Sequence, residues 1–358
     1  MKILLITDLY PARDNEYSTP KTLYDFVQGW KSLGHEVRII KPNFILNSFL
    51  RKKPFYRTGF YDDVLNINYW LPFWGDVKKK SGKFWQKDFH PDIVIAHMPS
   101  GILFADKLRM PFVAGIHCSD IAVLTKPLYS VYFKKAMEKA LNNAKLISCR
   151  SYVLKNKLLK LYPDYSDKIF VAPSGIDEKY IIADSVREYN PDSLKIITCA
   201  NYKKRKNIDK LAAAVKDLKG VELTVIGQGY EKYEKISDNI NILGRLDNTE
   251  VLKVMRESDV FILPSISETF GKVYLEAMAC GCLTVCSEND GIDGIIKNEI
   301  NGFTVKPDIE SIKELILKIK NMDNARLNYI RKKSLDTVRL HTQKICCEKY
   351  LKNLMREN

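Results

Sequence analysis

Two glutamates, Glu268 and Glu276, flank a Phe270-Gly271 pair in the run Leu263-Pro264-Ser265-Ile266-Ser267-Glu268-Thr269-Phe270-Gly271-Lys272-Val273-Tyr274-Leu275-Glu276-Ala277-Met278-Ala279-Cys280-Gly281. The apolar stretch from Asp259 to Leu263 reads as a buried strand, the residues after it as a tight polar loop, and a helix starts near Phe270 or Gly271. The first turn of a helix leaves amides without intrahelical partners, and the helix dipole adds partial positive charge, so this turn is an anion site. Gly271 removes a side chain where backbone must approach a ligand. Glu268 lies on the loop and Glu276 lies about five residues into the helix, where a carboxylate can accept both hydroxyls of a ribose. Either glutamate alone reads as a surface charge. Their spacing around Phe270-Gly271 points to a phosphate-bearing nucleotide.

The elements that must hold these residues follow from pattern. A chain of 358 residues exceeds one ordinary core and suits two domains. Short apolar runs alternate with helical patterns, which indicates βα units and parallel sheets. Strands are expected at 2–7, 36–41, 92–97, 111–116, 145–149 and 168–172, then at 195–199, 221–226, 240–243, 259–264, 283–286 and 302–305. Helices are expected at 20–33, behind Thr19-Pro20, and at 207–218, 248–257, 271–280 and 309–321. Asp247-Asn248-Thr249-Glu250 has the spacing of a capping box. Arg331 to Asn358 reads as one long helix with Leu340, Ile345, Tyr350, Leu351 and Leu354 on its apolar side. The polar stretch from Glu178 to Ser193 is the expected interdomain linker, and two α/β halves predict a cleft at the C-terminal edges of their sheets.

Bulk properties narrow the class. No apolar run reaches the ~20 residues that span a bilayer, and the four apolar residues after Met1-Lys2 are too few for a signal peptide. The eight cysteines form no C-x2-C pair and read as reduced core thiols, which places the chain in the cytoplasm. The net charge of +14 is concentrated in the first half and suits nucleic acid, an anionic membrane surface or phosphate-bearing substrates. Segment 50–90 interleaves Arg51-Lys52-Lys53 and Lys78-Lys79-Lys80 with Phe55, Tyr56, Tyr69, Trp70, Phe73, Trp74 and Trp85. Such a segment either packs its aromatics on the domain or meets anionic lipid. A nicotinamide-type Rossmann signature is absent after the first strand, and Gly227-Gln228-Gly229 is followed by Tyr230 and Glu231 rather than a third glycine. Nucleic-acid binding rests on charge alone, without a recognised fold.

The Glu268/Glu276 pair resembles the E-x7-E pattern of retaining glycosyltransferases of family 4, which have the GT-B fold. Further matches keep that family's order: Gly34-His35-Glu36-Val37, Gly115-Ile116-His117 with Asp120, Pro173-Ser174-Gly175-Ile176-Asp177, Val225-Ile226-Gly227-Gln228-Gly229 and Asn301-Gly302-Phe303. The resemblance covers nearly the whole chain and implies two Rossmann-like α/β domains facing across a cleft. Residues 1–185 would be the acceptor side, 186–335 the nucleotide-sugar donor side, and 336–358 a helix crossing back to the first domain. It implies a metal-independent transferase that moves a sugar from a nucleotide-diphosphate donor to a glycan or lipid-linked acceptor, with no cofactor and peripheral contact with an anionic membrane. Glu276 would hold the ribose, the amides around Phe270, Gly271 and Lys272 the diphosphate and sugar, and Glu268 would sit near the donor sugar. Lys206 aligns with the lysine that neutralises the diphosphate, beside Arg205, and Gly227 lies in the donor-domain turn. His117 falls beside the donor sugar, while His97, also at a strand end, is a weaker candidate. No D-x-D pair occurs to hold a divalent cation on a diphosphate.

Three departures stand out. Asn201 occupies a position that is usually arginine, leaving Lys203, Lys204 or Arg205 to supply a second positive charge. The N-terminal loop reads Asn15-Glu16-Tyr17-Ser18-Thr19-Pro20 instead of carrying a glycine pair, so Ser18 and Thr19 would contact the phosphate. Gly294 stands where a glutamate is usual. Two rival readings are a catalytically inactive GT-B subunit that binds a partner or lipid, and a GT-B nucleotide-sugar epimerase.

Overall fold

The computed structural model describes residues 1–11, 21–44, 63–69, 89–183, 186–230 and 237–355. The chain forms two compact units. The first comprises residues 1–150, 154–172 and 347–358, and the second comprises residues 151–153 and 173–346.

The first unit is built on seven strands: β1 (Lys2–Ile6), β2 (Glu36–Phe44), β3 (Val64–Tyr69), β4 (Ile93–His97), β5 (Phe112–Ile116), β6 (Leu146–Cys149) and β7 (Ile169–Val171). They pair in parallel in the order β3-β2-β1-β4-β5-β6-β7. The second unit repeats the scheme with β8 (Leu194–Cys199), β9 (Val221–Ile226), β10 (Ile240–Gly244), β11 (Val260–Leu263), β12 (Leu283–Ser287) and β13 (Phe303–Val305). Their order is β10-β9-β8-β11-β12-β13, again all parallel. Near-continuous runs such as Val260-Phe261-Ile262-Leu263 are buried along their whole length, as strands covered on both faces require. In each sheet the strand order reverses once, between β1 and β4 and between β8 and β11. Loops leaving the C-terminal ends at such a reversal splay apart and open a binding crevice. The Gly34-His35-Glu36-Val37 run leads into β2, as expected.

Three expectations are corrected. Strand β3 was not anticipated because it lies inside the charged aromatic segment. Its alternating Val64-Leu65-Asn66-Ile67-Asn68-Tyr69 pairs with β2 from Ile39 to Phe44. That pairing carries β2 past Pro42, which β2 tolerates because its register with β1 ends at Ile40. The rest of that segment, 45–62 and 70–88, lies outside the described residues.

The second correction concerns the expected linker, which is strapped to the second unit. Ile182 N–H donates to Ala279 O at 3.0 Å, Arg187 N–H donates to Asn328 Oδ1 at 2.8 Å, and the Arg187 guanidinium pairs with Asp259 at 3.2 Å. Tyr189 is buried beside it. The units divide at Ala172/Pro173, upstream of the 185/186 border expected from sequence.

Third, the terminal segment is two helices, Asn324–Arg339 and Gln343–Leu354. Between them the backbone turns outward to another partner: Ile176 N–H donates to His341 O at 3.1 Å, and Gln343 N–H donates to Ile176 O at 2.7 Å. A continuous helix would have consumed those groups internally. Leu340 sits at the break and is 58% exposed, so it is not part of the apolar side. From Cys347 onward the last helix belongs to the first unit. There Tyr350 packs among Phe26, Trp30 and Phe170, with ring centroids 5.2 to 5.6 Å away, and its hydroxyl meets Ser148 Oγ at 3.0 Å.

Candidate functional site

The second unit's site grows from the strand ends at the β8/β11 reversal. Past β8 the chain runs through Asn201 and Tyr202 into a short 3-10 turn, Lys204–Lys206, which Asn207 ends in a left-handed conformation before the helix Ile208–Val215. Past β11 it runs through Pro264 to Phe270 and enters the helix Lys272–Ala279 behind Gly271. The two loops are stitched together by three bonds: Ile266 N–H to Arg205 O at 2.7 Å, Asn207 Nδ2 to Pro264 O at 2.9 Å, and Arg205 Nη1 to Ser267 O at 3.3 Å. The helix-start loop is braced from below by Tyr274, whose hydroxyl donates to Leu263 O at 2.7 Å and lies 2.9 Å from Ser265 Oγ.

Gly271 has φ +87°, and a Cβ there would strike the Tyr274 ring, so conformation and space both demand glycine. Gly227 is equally constrained: at φ +142° its Cβ would overlap the carbonyl of Ala200. That close approach sets the Gly227-Gln228-Gly229 turn against the end of β8. Asn201 holds it there, because Gln228 N–H donates to Asn201 Oδ1 at 3.3 Å while Tyr202 N–H donates to Gln228 O at 2.9 Å. Asn201 therefore shapes the turn. Of the three expected substitutes for its charge, Arg205 brings its guanidinium to Glu268.

Arg205, Lys206 and Glu268, nominated separately from sequence, form one cluster. Lys206 Nζ lies 2.5 Å and Arg205 Nη1 3.1 Å from the same carboxylate oxygen, Glu268 Oε2. Lys206 and Glu268 side chains are each 14% exposed, and Arg205 is 39% exposed. Burial pushes the Glu268 carboxyl up, but the Lys206 and Arg205 charges more than offset this and hold it below the usual range. The Glu268 backbone is fixed too, since its N–H donates to both carboxylate oxygens of buried Asp290 at 2.9 and 3.1 Å. Sequence reasoning missed this anchor. The acidic residue of Asp290-Gly291 was visible, but nothing local connects it to position 268.

Glu276 and Lys206 both act electrostatically on the thiol of Cys199, at the end of β8. Burial, then Glu276, push that thiol up to about 12, and Lys206 works in the opposite direction. Lys272 is felt instead by the Asp177 carboxyl. Phe270 is buried in the core of the unit. Gly294, where a glutamate was expected, adopts φ +95° and belongs to a tight turn. Among the described residues no group of three or more His, Cys, Asp or Glu side chains is arranged to hold a metal ion.

In the first unit, His97 and His117 close the C-terminal ends of neighbouring strands β4 and β5. His97 Nδ1 and His117 Nε2 lie 2.9 Å apart, and Gly115 leaves the space that the His97 ring fills. His117 begins the helix Cys118–Thr125, and its N–H donates to Asp120 Oδ2 at 2.7 Å. Burial lowers both imidazoles, His117 to about 3, with the Arg150 charge adding to the effect; His97 is lowered further by His117 itself. Both rings are neutral at physiological pH. Burial, aided by Asp8, pushes the Asp120 carboxyl up to about 8. His97, the weaker candidate from sequence, is thus the direct partner of His117. Ser18 and Thr19 lie outside the described residues.

Two parallel Rossmann-like sheets, one of them followed by Arg205, Lys206 and Glu268 at a helix start, define an architecture of the GT-B type. The model for "Glycosyltransferase Family 4" matches residues 20–180, and that for "Glycosyl transferases group 1" matches residues 183–335. The chain is a family-4-like GT-B glycosyltransferase. It is 29% identical over 234 residues to an uncharacterized glycosyltransferase of Methanocaldococcus jannaschii, a match that spans 63% of each chain. It is 25% identical over 339 residues to the alpha-monoglucosyldiacylglycerol synthase of Acholeplasma laidlawii, covering 81% of each. The solved sucrose-phosphate synthase of Thermosynechococcus elongatus superposes with a TM-score of 0.72 at 18% identity, over 98% of this chain and 97% of that one.

Proposed function

We propose that this glycosyltransferase takes a sugar from a nucleotide-diphosphate donor and attaches it, with retention of anomeric configuration, to a glycan or lipid-linked acceptor in the synthesis of a surface polysaccharide or glycolipid. The observation that carries the reading is the convergence of Lys206 and Arg205 on Glu268, which lies beside Gly271 at the start of the helix Lys272–Ala279. Breaking the sugar–phosphate bond leaves a diphosphate with growing negative charge, and fixed cations and helix amides stabilise that charge as it develops. In this reading Lys206 and Arg205 meet the diphosphate, and the amides around Phe270, Gly271 and Lys272 complete its cradle. Glu276 takes the ribose hydroxyls, Gly227 lets the neighbouring turn approach the donor, and Glu268 faces the donor sugar.

His117 is assigned to the sugar side. A ring lowered to about 3 and bonded to His97 is a poor general base at neutral pH, which favours a role through its backbone carbonyl and position. Ser18 and Thr19 are assigned to the phosphate or acceptor. Helix amides and cations replace a metal in this scheme, so no divalent ion is required. The lipid-linked acceptor draws support from the Acholeplasma relative, which is an alpha-monoglucosyldiacylglycerol synthase. It also draws on the helix Pro127–Asn143, which exposes Val131 (76%) near Lys134, Lys135 and Lys139. No helix among the described residues is long and apolar enough to cross a membrane. We assign the protein to the cytoplasm, with peripheral attachment to the inner membrane face.

The test is a panel of nucleotide sugars screened by thermal stabilisation, followed by a transfer assay with the best donor and NMR of the product anomer. A product with inverted configuration ends the retaining assignment. Failure of every nucleotide sugar to stabilise the protein ends the donor assignment.

A further inference from the structure

Resting on the donor reading above, we propose that Glu268 is an internal counter-anion for Arg205 and Lys206, displaced from them when a diphosphate binds and thereby released toward the donor sugar. Both cations converge on one oxygen, at 2.5 and 3.1 Å, so a single negative charge serves two positive ones. The Glu268 stem runs between two glycines: a Cβ on Gly271 would lie 3.3 Å from Glu268 Cγ, and a Cβ on Gly291 would lie 3.1 Å from Glu268 Cβ. The carboxylate thus sits close against the helix start, and it carries its charge there because the cations outweigh burial. The loop's main chain is tied to Asp290 through two hydrogen bonds, so the side chain can rotate away while the loop stays in place.

A nucleoside diphosphate carries at least two negative charges and offers each cation its own oxygen, so exchange favours the ligand. Breaking the existing pairs nevertheless lowers its affinity. The side chain that competes with the diphosphate is also the one assigned to the sugar. Removing its charge therefore affects the two steps in opposite directions.

The experiment measures binding of UDP, GDP and ADP, each without a sugar, to the natural chain, Glu268→Gln and Glu268→Asp by isothermal titration at fixed ionic strength, with transfer rates alongside. For the nucleotide that the natural chain prefers, Glu268→Gln should bind about three- to thirtyfold more tightly, as expected for removing a competing charged contact, while its turnover falls. Arg205→Gln in the Glu268→Gln background should give back part of that gain. Glu268→Asp keeps the charge on a shorter arm and serves if the glutamine variant does not fold; it should bind more tightly than the natural chain. Equal or weaker affinity in the folded variants overturns the counter-anion. Absence of binding by the natural chain and the variants to all three nucleotides overturns the donor reading itself, and the counter-anion with it.

Discussion

At the residue scale, the ionised state of Glu268 depends on two cations that share one of its oxygens. Lys206→Ala leaves the carboxylate with Arg205, the more exposed partner, and is expected to lower turnover more than donor affinity if the ammonium acts mainly on the departing diphosphate. Steady-state kinetics beside titration separates the two, and unchanged turnover assigns that task elsewhere. Glu276→Ala should weaken nucleoside diphosphate binding by about 1.5–3 kcal/mol, the cost of lost charged hydrogen bonds; unaltered affinity withdraws the ribose assignment. The histidine pair predicts a pH dependence of stability. Below the ordinary value of 6.5 the unfolded chain takes up a proton on His117, whereas the folded chain resists until about 3, so stability falls as pH drops through that window. Asp120 acts in the opposite sense. Its folded carboxyl keeps a proton up to about 8 while the unfolded one releases it near 3.8, so its contribution weakens as pH rises between those values. Urea midpoints at pH 7 and pH 5 for the natural chain and His117→Asn test the histidine contribution, which predicts a shallower acid loss in the variant.

At the element scale, the site depends on strand ends that approach one another closely. Gly227→Ala places a methyl into the Ala200 carbonyl at a backbone angle that alanine avoids, so the 227–229 turn must lift from β8. A lowered melting temperature together with weakened nucleotide binding is expected, and a variant that matches the natural chain in both shows the turn to be slack. The last helix seats one large aromatic side chain in the first unit, beside buried Cys347, Leu351 and Leu354. Tyr350→Ala should cost about 3–5 kcal/mol, the usual penalty for emptying an aromatic-sized space, because Phe26, Trp30 and Phe170 close around that ring. Denaturant unfolding followed by tryptophan fluorescence, with Trp30 as the local reporter, measures it.

At the scale of the whole molecule, the two units share one sheet plan, and the residues proposed to meet the ligand come from the same kind of place, the C-terminal ends of strands near an order reversal. The family-4-like assignment follows from this plan together with the family matches across both halves. Its chemical corollary is tested on the intact protein. Chelation by EDTA should leave the transfer rate unaltered, because Lys206, Arg205 and helix amides are assigned the charge that a metal would otherwise carry; abolition of transfer overturns that mechanism.

Most strands were legible because a parallel strand buried on both faces must be a short apolar run, and the run itself marks the element. The Asp247–Glu250 box was legible for a similarly local reason, since its two reciprocal bonds join residues three positions apart. Strand β3 was hidden because its apolar positions alternate with asparagine inside a basic, aromatic stretch. The break at Leu340 was hidden because its cause, the bond between Ile176 and the chain at His341 and Gln343, joins distant parts of the sequence. The same limit applies to the site. Sequence alone determined which residues carry the charge and which glycines stand at the helix start and in the turn after β9, because residue type and spacing are local properties. Tertiary structure alone decided that Glu268 takes both Lys206 and Arg205, that Asp290 holds its backbone, that Asn201 braces a turn and that His97 meets His117. Each of these is a contact across a fold whose register only close packing sets.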